Sequence, residues 1–362
     1  MRFIFDSHLD LGWCATSFNR DLTQTVEEIR KRETGMTDER SRGRNTLTLP
    51  ELRKAGIGVC VATLLARSGP EPKWQAMNKR TDLDSSSQSI AYAQAHGQLA
   101  YYRLLEAQGH MKQLRTGSDL KAHWQAYTTD PQHTPLGFIL SMEGADPVIE
   151  PSQIGEWWDC GLRAIGPAHY GRSHYAYGTA VDGPLGDRGR DLLKAMRDAG
   201  LILDVTHLSD ISFWEAVDLW DGPMLASHHN CRALVPGDRQ LTDDQLKLLI
   251  SRGSVIGAAL DAWMLYPNWV RGETKPTVIT LEAVADHMDR ICQLAGNANH
   301  SAIGSDLDGG FGNEQTPGDM DTITDLQKLN AILARRGYSE ADIDAIFHNN
   351  WLRFFSAALP SK

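Results

Sequence analysis

Residues 201–229 read LILDVTHLSDISFWEAVDLWDGPMLASHH. An apolar run, Leu201–Val205, is followed closely by His207, and a second, Met224–Ser227, runs directly into His228. Between them, Ile211–Trp220 places apolar residues three and four apart, the spacing of an amphipathic helix. Strand, helix and strand in that order imply a parallel pair with the helix packed outside. Each strand has an imidazole beyond its C-terminal end.

The same unit recurs in both directions. Further runs rich in Val, Ile, Leu and Ala are Arg2–Phe5, Gly58–Leu64, Gly137–Met142, Leu162–Gly166, Ser254–Leu260 and Ala302–Ser305, which makes eight expected strands in all. Asp191–Ala199, Thr242–Arg252 and Leu281–Leu294 have helical spacing. Gly200 and Gly253 stand where helices must stop, and Thr242 with Gln245 has the pattern of a capping box. Eight alternating units predict an α/β fold, a (β/α)8 TIM barrel, in preference to an open doubly wound sheet. Ser7–Ile57 and Ala66–Leu136 are too long for simple crossovers, so long loops follow the first and second strands and should shape a mouth; a helix is expected at Ser89–Ala107. Trp263–Pro276, with Trp263, Tyr266 and Trp269, reads as a lid or substrate wall, or equally as aromatics packed in a surface loop. No linker divides the chain, so 1–362 is read as one domain.

Composition narrows the partners. With 36 basic and 46 acidic side chains the net charge is −10, which disfavours a protein that tracks phosphates along a nucleic acid. Five scattered cysteines, Cys14, Cys60, Cys160, Cys231 and Cys292, suit reduced thiols better than a disulfide framework. Neither a signal peptide nor an apolar run long enough for a membrane span is evident, so a soluble cytoplasmic protein is expected. Trp157, Trp158 and Trp214 could be core or the interface of a homo-oligomer.

The candidate chemistry lies at the strand ends. His8 and Asp10 follow the first strand, Glu143 the third, His169 the fourth, His207 the fifth, His228 the sixth, and Asp306 and Asp308 the eighth. In a parallel barrel these ends share one rim, where active sites form. Imidazoles with carboxylates suit a divalent metal of intermediate softness. Glu143, offering one oxygen to each of two cations, would complete five protein groups around two Zn²⁺ and leave room for a shared water. Singly, each residue also has a bland reading: a satisfied histidine, a helix cap at Glu143, or turn aspartates in Gly304–Gly310.

At these residues the chain resembles the membrane dipeptidase, or renal dipeptidase-like, metallopeptidases. The matching segments are Asp6–Leu11, Met142–Gly144, Leu162–His169, Asp204–Ser209, Ser227–Leu234, Ile303–Gly309 and a closing Asn350–Arg353, in the family's order. The resemblance implies a zinc-dependent barrel that hydrolyses small dipeptides with a metal-bridged hydroxide. His8 and Asp10 would hold one zinc, His207 and His228 the other, and Glu143 would bridge. His169 would bind substrate and oppose the developing oxyanion, and Asp306 would shuttle the proton. Arg239, eleven residues beyond His228 (239 minus 228), would grip the substrate carboxylate; a surface salt bridge is its other reading. Leu9, Gly12-Trp13, Ala145 and His229 depart from the family's usual residues, and these departures bear on the pocket and the substrate. Two other classes stay open: a related binuclear barrel hydrolase acting on another amide, a lactone or a phosphoester, and an inactive ligand-binding barrel.

Overall fold

The computed structural model describes residues 1–70 and 83–361, so residues 71–82 of the second long loop lie outside it. Its strands are β1 (Ile4–Leu9), β2 (Ile57–Leu65), β3 (Met111–Gln113), β4 (Leu136–Glu143), β5 (Leu162–Gly166), β6 (Ile202–Asp204), β7 (Met224–Leu225), β8 (Ile256–Ala258) and β9 (Ser301–Ile303). Every pairing between them is parallel. A curled run β1-β2-β4-β5-β6-β7 meets the pair β8-β9 through a bridge between Ala226 and Ile256. The return from β9 to β1 is looser. It is made by the Asp306 N–H donating to the His8 carbonyl at 3.3 Å and the Ser7 hydroxyl donating to the Ile303 carbonyl at 3.2 Å. Ser7 also donates to the Ser227 carbonyl, and both atoms press on glycines: a Cβ on Gly257 or Gly304 would meet the Ser227 oxygen at 2.0 or 1.8 Å. Only residues without side chains let the backbones close in there.

The strands sort their side chains with a period of two. Phe5, Val59, Val61, Ile139, Ala164, Ile202, Leu225, Val255 and Ala302 form one apolar cluster, which Trp351, Phe354 and Phe355 of the C-terminal helix Asn350–Ala358 complete. Alternate residues such as Ile4, Cys60, Ala62 and Leu140 face a second, larger cluster shared with the surrounding helices. Burial on both faces is why β1, β2 and β4 are buried at every position. Expected helix signals hold: Thr242 and Gln245 form a reciprocal cap, and Gly200 closes the helix Gly186–Ala199 at φ 77°.

The eight barrel strands are those expected, with shifted ends. β1 runs on through Asp6, Ser7 and His8, past the predicted stop at Phe5, because backbone pairing continues where the side chains turn polar. β8 is shorter than Ser254–Leu260. β3, whose central Lys112 is exposed, has no apolar run and pairs only with Leu136–Phe138, below the point where β5 joins at Leu140. The first long loop holds helices Leu11–Phe18, Val26–Arg32 and Leu49–Ala55; the second holds Gln88–Ala107 and Gly117–Thr129. All five cysteines are free. Trp157 is buried, Trp158 lies under the Arg163 guanidinium, and Trp214 is exposed. No helix among the described residues is long and apolar enough to cross a membrane.

Candidate metal centre and active site

Glu143 is the last residue of β4, and its two oxygens face different partners. Oε2 lies 3.5 Å from His8 Nε2, while Oε1 lies 3.1 Å from His207 Nε2 and 3.2 Å from His228 Nε2. Asp10 Oδ2 and Asp306 Oδ1 approach the same His8 nitrogen at 3.6 and 3.8 Å. Ligand atoms therefore gather in overlapping trios: His8, Asp10 and Glu143; Glu143, His207 and His228; His8, His228 and Asp306. His8 Nε2 and Asp10 Oδ1 are buried without a hydrogen-bond partner. Buried polar atoms left unpaired are destabilising, and imidazole nitrogens beside carboxylates are the donors a divalent cation such as zinc takes, so the residues fit such an ion.

Backbone and hydroxyl groups aim these side chains. His207 and Asp306 sit at φ 69° and 58°, in the left-handed region that residues other than glycine rarely adopt. His207 Nδ1 pairs with Thr179 Oγ1 at 2.9 Å, and His228 Nδ1 with Ser227 Oγ at 2.9 Å, as metal-ligating histidines require of their second nitrogen. The Thr179 N–H also donates to the His169 carbonyl at 3.0 Å, so one residue fastens two histidines. The two aspartates of the eighth strand end separate. Asp306 faces the centre, whereas Asp308 accepts from the Thr46 N–H and hydroxyl at 2.7 Å each and pins the first long loop.

Charge is crowded here. Burial pushes the Glu143 carboxyl up, but His169, His8 and the hydrogen bonds from His207 and His228 outweigh it and hold it well below the usual range. Asp306 goes the other way, raised well above the ordinary value by burial and by Glu143 and Asp10 beyond what His8 and Arg239 return. Burial, with the field of Arg67 and Arg239, lowers His169 to about 3 despite Glu143, so it is a neutral imidazole.

A cavity of about 430 Å³ opens over the centre, lined by Glu143, His169, His207, His228, Arg239 and Asp306. Arg239 is buried, not in a surface salt bridge: Nη2 donates to the His228 carbonyl at 3.0 Å, and Nη1 has no partner. Trp263 and Trp269 line the cavity as a wall, together with Arg271, while Tyr266 does not. Arg67, Tyr170 and Asp261 also line it and were not singled out from sequence. Asp261 stands at the end of the seventh expected strand, so the strand-end rule that found the others would have found it. Burial raises its carboxyl to about 6.

A family model described as membrane dipeptidase (peptidase family M19) matches residues 2–360. An uncharacterized Klebsiella pneumoniae protein in the pqqA 5′ region is 28% identical over 229 residues, 60% of this chain and 80% of that one. The matches to four further curated relatives span 44% to 58% of those proteins' lengths. Among solved structures, a metallo peptidase from Rhodobacter sphaeroides, liganded with a phosphinate mimic of the dipeptide L-Ala-D-Ala, aligns with TM-score 0.72 at 22% identity over 98% of each chain. The probable dipeptidase PvdM from Pseudomonas aeruginosa aligns with TM-score 0.76 at 18% identity over 99% of this chain and 96% of its own. Both share the fold, and with the family model matched over almost its whole length, this chain belongs to the membrane dipeptidase family.

Proposed function

We propose that the chain is a single-domain metallo-dipeptidase, with His8 and Asp10 holding one zinc ion, His207 and His228 a second, and Glu143 bridging them. The observation that carries this reading is the division of Glu143, one oxygen 3.5 Å from His8 and the other 3.1 and 3.2 Å from His207 and His228. Two zinc ions bound there would lower the pKa of a water and polarise the scissile carbonyl. Asp306, whose Oδ1 faces the centre 3.8 Å from His8 Nε2, takes the proton of the attacking water and returns it to the leaving amine. His169 donates to the oxygen on which charge develops. Arg239 has Nη2 anchored on His228, so the unpartnered Nη1 is the donor left for the substrate's free carboxylate, and that contact favours dipeptides over long chains. The phosphinate dipeptide mimic bound by the Rhodobacter sphaeroides protein supports the same substrate class.

The test is a panel of L,L and L,D dipeptides, N-blocked amino acids, lactones and aryl phosphates assayed on zinc-loaded protein, with elemental analysis alongside. About two metal ions per chain and turnover of free dipeptides are expected. Turnover of the phosphates or lactones alone would refute the dipeptidase reading, and a chain that retains no metal after loading would be a binding barrel.

A further inference from the structure

We propose that Arg67 is a positioning residue for His169, locking its imidazole as the tautomer that carries its proton on Nε2. Arg67 lies two residues past the end of β2 and is 6% exposed. Its Nη1 is 3.2 Å from His169 Nδ1, while Nε and Nη2 both donate to Asp84 Oδ1 at 2.9 and 2.6 Å. A guanidinium has five N–H donors, no acceptor, and does not deprotonate in a protein. Its partner in that contact must therefore accept, so His169 Nδ1 presents its lone pair and the ring proton sits on Nε2. Nε2 is the nitrogen turned to the centre, 3.8 Å from Glu143 Oε1.

The support around Arg67 suits holding a direction rather than simply tying a loop. The Arg67 N–H donates to the Leu83 carbonyl at 3.0 Å, and the Ser85 N–H to the Arg67 carbonyl at 2.8 Å, so its backbone is clamped between two residues flanking Asp84. On the next residue, the Ser68 N–H donates to Asp146 Oδ2 at 3.1 Å, three positions beyond Glu143 (146 minus 143). Arg67 is thereby referenced to the strand that carries the central carboxylate. Asp84 engages the guanidinium through one oxygen only, and its Oδ2 is buried without a partner. Because Asp84 occupies the Nε and Nη2 edge of the guanidinium, Nη1 is left turned to the imidazole.

The tautomer matters because an oxyanion needs an N–H. With the proton on Nδ1, His169 would aim a lone pair at the developing negative charge and repel it, and a donor effective mainly in the transition state shows in kcat more than in KM. The proposal rests on the role given to His169 above, but its first test needs no turnover. Zinc-loaded protein labelled with ¹⁵N-histidine, with His169 assigned by its loss in His169→Gln, reports both ring nitrogens by NMR. Wild type is expected to show His169 with Nδ1 unprotonated and Nε2 protonated, whereas Nδ1–H there overturns the proposal without any Arg67 variant. In Arg67→Met the two tautomers should mix, and kcat on a dipeptide should fall roughly 10- to 100-fold with KM within about threefold and metal content unchanged. Arg67→Lys, which keeps a donor-only group, should restore the tautomer and most of kcat. An Arg67→Met enzyme with unchanged tautomer and kcat, or one whose loss Lys fails to rescue, overturns it. If wild type shows the expected tautomer but cleaves no dipeptide, the functional reading fails and the tautomer assignment stands.

Discussion

At the N-terminal end of the barrel, Phe5 of β1 stacks on Phe355 at 5.3 Å, and the Asn350 side-chain amide donates to the Ala298 and Ser301 carbonyls at 2.7 and 2.9 Å. Three residues further along β1, His8 Nε2 is buried among carboxylates with no hydrogen-bond partner, and on β4 the same change occurs between Ile139 and Glu143. One end is closed by apolar contact and by the side-chain hydrogen bonds of Asn350 and Trp351. The other keeps His8, Asp10 and Arg239 with unsatisfied buried atoms and puts His207 and Asp306 in strained backbone. Such a rim persists only because the packed end over-determines the strands. Stability and chemistry are thus separated along each strand by one turn of side-chain pattern, and substitutions at the two ends should fail in different currencies.

The largest effect is expected at the centre. Glu143→Gln should reduce turnover by about 10³-fold or more and lower metal content, because it removes the charge shared by both halves of the site. Asp306→Asn should keep metal largely in place yet lose roughly 10²- to 10⁴-fold in kcat. Elemental analysis beside kinetics separates the two, and equal metal loss in both variants would erase the division between ligand and proton carrier. At the opposite end, Trp351→Ala should cost about 3–5 kcal/mol of unfolding free energy in denaturant melts, while kcat per folded molecule stays within about twofold. A large fall in kcat with little loss of stability would show the two ends to be coupled.

The smallest effect probes a rim residue that is no proposed metal ligand. The Asp261 carboxyl is raised from 3.8 to about 6, chiefly by burial. The folded state thus favours its protonated form: its contribution is fully present below about pH 4, and is lost as pH rises through about 6. Asp261→Asn cannot ionise, so its stability relative to wild type should improve by about 1–3 kcal/mol between pH 4 and pH 7, read from melts at each pH. A pH-independent difference would mean that the cavity solvates Asp261 as well as water does.

Much of this was legible from residue order alone. The eight apolar runs marked the barrel strands because strands buried on both faces need continuous apolar sequence. The His and acidic residues after them identified the rim because parallel topology brings C-terminal ends together. Asp261 carried the same strand-end signal; the rest of what escaped had none. The extension of β1 is polar and reads as loop, and β3 is three residues long with an exposed Lys112 at its centre. Arg67 follows a strand but belongs to no residue class searched for there, and its role depends on Asp84 and His169, seventeen and 102 positions away.

The sequence by itself determined the alternation of strands and helices, the set of candidate ligating side chains and the family resemblance, since these depend on local periodicity and on residue type. Only the tertiary structure decided that Glu143 turns one oxygen to each histidine set, that Asp306 faces the centre while Asp308 pins a loop, and that Arg239 is buried with one free donor. Those are matters of direction within a few ångströms. They are set by backbone dihedrals and by partners from eleven to 298 positions away (306 minus 8), which spacing along a chain does not encode.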